Sequence, residues 1–165
     1  MKIPSSRIIN AIGFLTCISA MAFAVLYLQR VLYLDPCPLC VIDRVLIISM
    51  SIFFLLAFIH NPARTGQRIY GIINLVLVTL AMIVAGRHVW LQYLPPDQVP
   101  ECGAGLDFML ETMPLNDVLV TIFKGSGECA DIQWTFLGLS IPEQTILLFM
   151  GFLFLILIQI FRKTD

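Results

Sequence analysis

Charged residues are scarce in this chain of 165 residues, because Asp, Glu, Lys and Arg make up only 13% of it while hydrophobic residues make up 59%. Water-soluble domains carry about 25% charged residues, so the composition excludes that class. The sequence also has no glycine-rich phosphate loop, haem motif, internal repeat or basic nucleic-acid patch. The low charge and the high hydrophobic content together indicate a membrane protein.

Four apolar runs are long enough to cross a bilayer, which takes about 20 residues. They cover residues 8–28, 41–59, 69–86 and 144–161. The runs are continuous rather than alternating, and backbone groups in lipid must pair internally, so each run is predicted to be a helix. The sequence therefore predicts an all-α membrane protein, a single domain over 1–165 built as a four-transmembrane-helix bundle.

The charges between the runs predict how the chain lies in the membrane. Lysine and arginine precede the first run, separate the second from the third, and follow the fourth: Lys2, Arg7, Arg64, Arg68, Arg162 and Lys163. Positive residues mark the cytoplasmic side, so we expect both termini and the loop 60–68 there, and the loops 29–40 and 87–143 outside. Cleavage of the first run as a signal peptide is an alternative that leaves the outward loops in place.

Four of the five cysteines, Cys37, Cys40, Cys102 and Cys129, lie in the outward loops. Spacing favours the disulfides Cys37–Cys40 and Cys102–Cys129, although four cysteines allow three pairings. The second bridge would close a loop of about 28 residues and act as a staple of about 3.5 kcal/mol. The first closes almost no loop, which is typical of a redox pair. The fifth, Cys17, is predicted to be a small buried hydrophobe.

Zinc is the other interpretation of four cysteines. Only one C-x-x-C is present rather than two, and it lies outside the cytosol, so we expect no metal.

The residues around the C-x-x-C predict a reactive pair at a helix start. Pro38 suits the first helical position, which makes Cys37 the N-cap and Cys40 the third helical residue. Both sulfurs would then lie at the positive end of the helix, which stabilises a thiolate. Arg44 follows Cys40 by one turn and is a functional candidate. The alternatives are that it reaches the lipid headgroups or pairs with Asp43.

A second set of residues is predicted at the same depth. Because the second and third spans are antiparallel, Arg87, His88 and Trp90 come level with Cys40 and Arg44. Such a cationic, aromatic-lined site would suit a lipid-soluble quinone, whose oxygen Arg44 or His88 could bind. The alternative for Arg87 and His88 is a solvated pair at the membrane surface.

The loop 87–143 is rich in proline and glycine and too short for a core of its own. Residues 114–123 are predicted to form a short interfacial helix with a proline start and a glycine stop, a strand being the alternative. Cys102 and Cys129 flank this helix, and we expect their disulfide to be exposed and open to attack by an outside thiolate. Trp134 and Phe136 are candidates to anchor the loop's return to the bilayer.

One ordered set of motifs covers nearly the whole chain: Cys37-Pro38-Leu39-Cys40 with Arg44, Arg87-His88-Val89-Trp90-Leu91-Gln92, Cys102, Gly127-Glu128-Cys129-Ala130, Gln133-Trp134 and Phe136-Leu137-Gly138-Leu139. In this set the chain resembles the DsbB family, membrane quinone reductases that reoxidise the periplasmic disulfide donor DsbA. The resemblance implies a four-helix membrane bundle in the inner membrane of a Gram-negative bacterium.

The resemblance also implies an electron path. A DsbA-like partner would attack the Cys102–Cys129 disulfide, with Cys102 forming the mixed disulfide. Cys37 would exchange with this loop pair, and Cys40 would form a thiolate adduct or charge-transfer complex with ubiquinone or menaquinone.

Arg44 matches the family's quinone-site arginine, and the resemblance places His88 at the same site.

Two other functions fit parts of the pattern. A four-span structural or interaction protein would use the loop disulfides as staples, and Cys37 and Cys40 would then be dispensable. A redox enzyme of the vitamin K epoxide reductase type usually carries its C-x-x-C on a late span, whereas here the motif opens the second.

Overall fold

The computed structural model describes residues 5–95, 97–100, 106–125 and 127–162. The helices are α1 (Ser6–Ala22), which continues as a π-helix (Phe23–Gln29), α2 (Pro38–His60), α3 (Arg64–Gln92), α4 (Leu106–Thr112), α5 (Leu115–Lys124), α6 (Gly127–Ala130) and α7 (Ile141–Phe161). Two short strands, β1 (Thr135–Phe136) and β2 (Leu139–Ser140), form an antiparallel hairpin before α7.

In the described part of the chain, four helices are long and apolar enough to cross a membrane: Ser6–Gln29, Pro38–His60, Arg64–Gln92 and Ile141–Phe161. Each contains one of the four predicted runs and extends beyond it. The extensions mix polar or charged residues with a few apolar ones, so each apolar run ends before its helix does. The predicted all-α, four-helix architecture is confirmed.

The spanning helices pack largely in chain order, α1 on α2, α2 on α3, and α3 on α7. We call one end of the bundle the cysteine end, where α2 begins, α3 ends and α7 begins. The other is the arginine end, where α1 begins, α2 ends, α3 begins and α7 ends. Arg7, Arg64, Arg68 and Arg162 lie at the arginine end.

Local sequence signals fix where the helices begin and end. Cys37 is the N-cap of α2 and Pro38 occupies its first turn, as predicted. α5 lies between Pro114 and Gly125, whose φ of 85° is favourable only for glycine. The predicted short helix is thus confirmed, and the alternative of a strand is wrong. Its interfacial location stays a prediction.

The middle of the bundle is a close-packed apolar core of ten buried residues: Cys17, Ile47, Met50, Phe54, Val78, Ala81, Ala85, Phe149, Phe152 and Ile156. Cys17 is fully buried among them, as predicted. Gly13 faces Phe54 so closely that an added Cβ would lie 2.8 Å from its ring. Small residues at such contacts let membrane helices approach one another, since lipid supplies no hydrophobic driving force between them.

Three buried amides link α1, α3 and α7 near the arginine end. Gln67 Oε1 accepts hydrogen bonds from Asn10 Nδ2 and from Gln159 Nε2, both at 3.0 Å. All three side chains are at least nine-tenths buried. In a membrane, hydrogen bonds of this kind hold helices together.

Candidate redox site at the cysteine end

Cys37 and Cys40 lie at the first turn of α2 with their sulfurs 3.1 Å apart. A disulfide bond is about 2.05 Å long, so the predicted Cys37–Cys40 bridge is not formed here and the geometry is that of a dithiol. The backbone N–H of Cys40 donates to Cys37 Sγ at 3.4 Å. Both sulfurs thus lie at the start of α2, where the helix dipole has its positive end.

His88 of α3 contacts both sulfurs. Its Nε2 lies 3.7 Å from Cys37 Sγ, and its Nδ1 lies 3.9 Å from Cys40 Sγ. The ring is only 4% exposed, so the alternative of a solvated His88 is wrong. A buried imidazole in this position can take a proton from one sulfur and return it to the other.

Cys129 completes a buried group with Cys37 and His88. The sulfurs and a ring nitrogen of these three residues all lie within 4.8 Å of one another. Cys129 lies on α6 and is 0% exposed, so the expectation of an exposed loop cysteine is wrong at this position. α6 packs directly on α3, which covers the sulfur. Cys102 and its pairing with Cys129 lie outside the described residues.

A second apolar cluster holds the connection between α3 and α7 over the cysteines. It contains Cys37, Leu39, Val84, Leu91, Met109, Val118, Ile122 and Cys129. Arg87 Nε donates to the carbonyl oxygen of Phe123 at 3.2 Å, and the guanidinium carbon lies 4.1 Å from the centre of the Trp90 ring. Arg87 therefore ties α3 to α5, whereas His88 turns toward the sulfurs.

A cavity of about 280 Å³ opens beside the cysteine pair. Its polar lining includes Cys40, Asp43, Arg44, His88 and Gln92, and its apolar lining includes Met21, Phe23, Leu28, Ile47, Leu148 and Trp134. Ile141 and Pro142 at the start of α7 also contribute to the wall. Asp43 Oδ1 and Gln92 Oε1 are buried and have no hydrogen-bond partner among the described residues. Such buried polar atoms normally have a partner.

Arg44 is held at this cavity by α1. Its Nη1 donates to Gln29 Oε1 at 2.7 Å. Gln29 is the last residue of the π-helix that continues α1, and π-helical turns often occur at functional sites. Within the described residues Arg44 forms no ion pair with Asp43, so that alternative is wrong.

An aromatic group closes the cavity on the side of the hairpin. Trp134 has the Phe23 and Tyr27 rings at centroid distances of 6.1 and 6.4 Å, and it stacks on Phe136 at 6.1 Å. The chain reverses after Phe136 through Leu137 and Gly138, which both have positive φ. This turn brings the chain back to the start of α7 and holds Trp134 against the end of α1.

The profile of the family described as "Disulfide bond formation protein DsbB" matches residues 6–159. The chain belongs to the DsbB family. It is thus a multi-pass membrane protein of disulfide bond formation. The family resemblance noted from the motifs is confirmed, and the aligned region contains all of the site described above.

Curated relatives of the DsbB family agree over nearly their full length. The chain is 45% identical to "Disulfide bond formation protein B" of Nitrosococcus oceani over 158 residues, which cover 96% of this chain and 91% of the relative. It is 43% identical to the protein of the same name from Methylococcus capsulatus over 151 residues, 92% of each chain. The one from Acinetobacter baumannii is 45% identical over 159 residues, 96% of this chain and 92% of the relative.

Several residues of this DsbB site were not singled out from the sequence. Gln29 has no charge and lies at the end of an apolar run, so nothing marked it as the partner of Arg44. Gln92 was quoted only as part of a motif. Asp43 was considered only as a partner of Arg44, although an acidic residue just inside a predicted span is itself a signal of function.

The lining of the cavity fits a quinone. Arg44 offers N–H donors and His88 a ring nitrogen for two carbonyl oxygens, and the apolar walls suit a ring and a hydrocarbon tail. The group formed by Cys37, His88 and Cys129 also has ligand spacing compatible with a soft metal ion. That no metal is needed stays a prediction.

Proposed function

We propose that this protein is a thiol:quinone oxidoreductase that reoxidises a DsbA-like thioredoxin-fold partner in the periplasm and passes the electrons to a membrane quinone, ubiquinone or menaquinone. One observation carries the proposal. Cys37 lies within 4.8 Å of Cys129, and Cys37 and Cys40 both line the cavity that also contains Arg44. A pair in this position can exchange with the loop and react in the cavity.

The first step takes two electrons from the partner. A thiolate of the reduced partner attacks Cys102 of the Cys102–Cys129 disulfide and releases Cys129 as a thiolate. The partner's second thiolate then attacks the mixed disulfide, so the partner leaves oxidised and Cys102 is released as well. Burial of Cys129 supports Cys102 as the point of attack, because an outside thiolate cannot reach a fully covered sulfur.

The second step moves the two electrons to α2. Cys129 attacks Cys37 of the oxidised Cys37–Cys40 pair, which releases Cys40 as a thiolate. Cys102 then attacks Cys129, which restores the loop disulfide and releases Cys37. The short distance between Cys37 and Cys129 supports this order. His88 can hold the proton that a sulfur loses, because its two ring nitrogens face the two sulfurs of the pair.

The last step occurs at the cavity. A bound quinone accepts two electrons and two protons and leaves as the hydroquinone. The Cys40 thiolate, which lines the cavity, donates electrons to the quinone. The bond between Cys40 and Cys37 then re-forms, which returns the pair to the oxidised state. Arg44, fixed by Gln29, offers positive charge where an oxygen becomes negative.

The proposed location is the bacterial inner membrane with the cysteine end in the periplasm. The opposite end has Arg7, Arg64, Arg68 and Arg162 and no acidic residue in the helical turns that form it, so the positive-inside rule predicts that this end and both termini face the cytoplasm. An oxidising compartment at the cysteine end is what disulfide exchange requires.

Quinone reduction by the purified protein, with a reduced DsbA-type protein as donor, tests this function. The absorbance of the quinone is followed for the wild type, for Cys40→Ser and for Cys17→Ala. Cys17 is the matched control, because it is a buried cysteine of the core that does not line the cavity. Turnover in the wild type and Cys17→Ala but not in Cys40→Ser is the expected result. No turnover in folded, oxidised wild type with either quinone would favour the structural four-span protein.

A further inference from the structure

A second cavity, of about 480 Å³, lies at the arginine end, across the bundle from the redox site. Arg7, Arg64, Arg68 and Arg162 line it together with the turn between α2 and α3. No Asp or Glu occurs from residue 44 to 96 or from 144 to 164, so the helices supply no carboxylate at this end. The described lining of the cavity is therefore positively charged, and Asp165, which follows Arg162 by three positions, lies outside the described residues.

Two helix starts add to this positive potential. The N-caps of α1 and α3, Ser5 and Ala63, both line the cavity; Ser5 Oγ accepts a hydrogen bond from the Ile8 N–H, whereas Ala63 makes no side-chain cap. The first N–H groups of a helix have no partner within it, and the helix dipole is positive at that end. Neither first turn carries an acidic residue to balance this charge.

Arg64 and Arg68 are one turn apart on α3, so they lie on the same face of the helix. Like charges four residues apart destabilise a helix by a few tenths of a kcal/mol. Such a pair is stabilised when an anion lies between the two guanidinium groups. Arg7 is already oriented, since its guanidinium carbon lies 4.9 Å from the centre of the Phe58 ring.

Two buried glutamines of the cavity lining each have a polar atom without a hydrogen-bond partner among the described residues. Gln67 and Gln159 both line the cavity and are 6% and 5% exposed. Gln67 Nε2, a donor, and Gln159 Oε1, an acceptor, have no partner among the described residues. Both atoms are covered, so the two amide side chains would have to turn toward the cavity to reach a phosphate ester held by the arginines.

We infer that this cavity binds a phosphate ester, with the phosphodiester headgroup of an anionic phospholipid or a soluble phosphate as its source. The positive-inside rule explains why arginines lie at this end, but it does not require them to line one concave site over unpaired buried amides. Basic pockets between spanning helices are the usual form of a headgroup site. The inference does not depend on the proposed redox function.

Thermal unfolding of the lipid-stripped protein in neutral detergent tests the inference, followed by circular dichroism at 222 nm. Dioctanoyl phosphatidylglycerol, dioctanoyl phosphatidylcholine and inorganic phosphate are titrated separately, because a ligand of the native state raises the midpoint in proportion to its occupancy. We expect a saturable rise with phosphatidylglycerol and none with phosphatidylcholine. Arg68→Gln should bind about tenfold more weakly, the loss of one charge-assisted contact.

Arg30→Gln is the matched control, because Arg30 is exposed near the cysteine end and its loss changes the net charge equally. It should titrate like the wild type. A saturable rise with inorganic phosphate, not exceeded by phosphatidylglycerol, would identify a soluble ester as the source and support the site. Equal effects of the two lipids on the wild type, without a rise for phosphate, would overturn the inference whether or not Arg68→Gln folds. An equal loss in both arginine variants would overturn it too.

Discussion

Replacing His88 by alanine is expected to slow quinone reduction about 30-fold. The imidazole is the group that touches both sulfurs of the redox pair, at 3.7 Å from Cys37 and 3.9 Å from Cys40. Alanine removes both contacts and leaves each sulfur without the imidazole nitrogen that would accept its proton. His88 is not part of the apolar core of the bundle, so the substitution should affect the sulfurs more than the packing of that core.

The magnitude follows from the two contacts. A hydrogen bond of this kind contributes about 1 kcal/mol, so losing both costs about 2 kcal/mol. Each 1.36 kcal/mol is a factor of ten in rate, which gives a factor of about 30. His88→Gln keeps one amide donor near the pair and is expected to recover part of the loss, to about fivefold below the wild type.

The assay is steady-state turnover with a reduced DsbA-type donor at saturating quinone, read from the quinone absorbance. Asn74→Ala is the matched control. Asn74 is also a buried polar residue of α3, 1% exposed, but it lies about 20 Å along the helix from His88. Its substitution should leave turnover unchanged.

Two results would refute this reasoning. Turnover of His88→Ala within twofold of the wild type would mean that the sulfurs do not use the imidazole. An equal loss in Asn74→Ala would assign the effect to weakened helix packing and not to proton transfer at the pair.

Three further substitutions test the surroundings of the site. Gln29→Ala frees the Arg44 guanidinium and should raise the KM for quinone about fivefold at unchanged kcat, the loss of one hydrogen bond, as steady-state kinetics would measure. Gly125→Ala forces a side chain onto Leu91 at a φ of 85° and should weaken the docking of α5 by about 2–4 kcal/mol, seen as faster amide hydrogen exchange in α5. The Cβ added by Gly86→Ala meets no atom within 4 Å. The free energy of unfolding should therefore stay unchanged or rise by up to about 1 kcal/mol, as a shift of the unfolding midpoint would show.

Each of these expectations has a clear contrary result. An unchanged KM in Gln29→Ala would mean that Arg44 needs no help from α1. Wild-type exchange rates in Gly125→Ala would mean that the end of α5 does not rest on Leu91. A lowered midpoint in Gly86→Ala would mean that the added methyl group clashes with a neighbour, contrary to the open space beside Gly86.

The local features of the site could be predicted from sequence because they depend on short-range chemistry. Proline has no N–H to donate, which costs nothing in the first turn of a helix, where the N–H groups have no partner within the helix. Pro38 therefore fixed the first turn of α2 and with it the positions of Cys37 and Cys40. Pro114 and Gly125 bounded α5 in the same way. The four spans followed from the length of each apolar run.

The contacts between helices could not be predicted in the same way. Antiparallel packing put His88 at the right depth, but the rotation of α3 about its axis decides whether it faces water or sulfur. The pairing of Gln29 with Arg44 depends on a π-helical stretch that hydropathy does not reveal. Cys129 was predicted to be exposed because its loop is polar, whereas the packing of α6 on α3 buries it.

The shared amide of Gln67 has a consequence for how the protein is assembled. Asn10, Gln67 and Gln159 belong to the first, third and fourth spans, and each hydrogen bond of the group joins two spans that are far apart in sequence. A span inserted alone would therefore carry its amide into lipid without this partner, at a cost that only the completed bundle removes. The group thus favours the one vertical alignment of the three helices in which the amides meet, and the fourth span can lock that alignment only when synthesis is nearly complete.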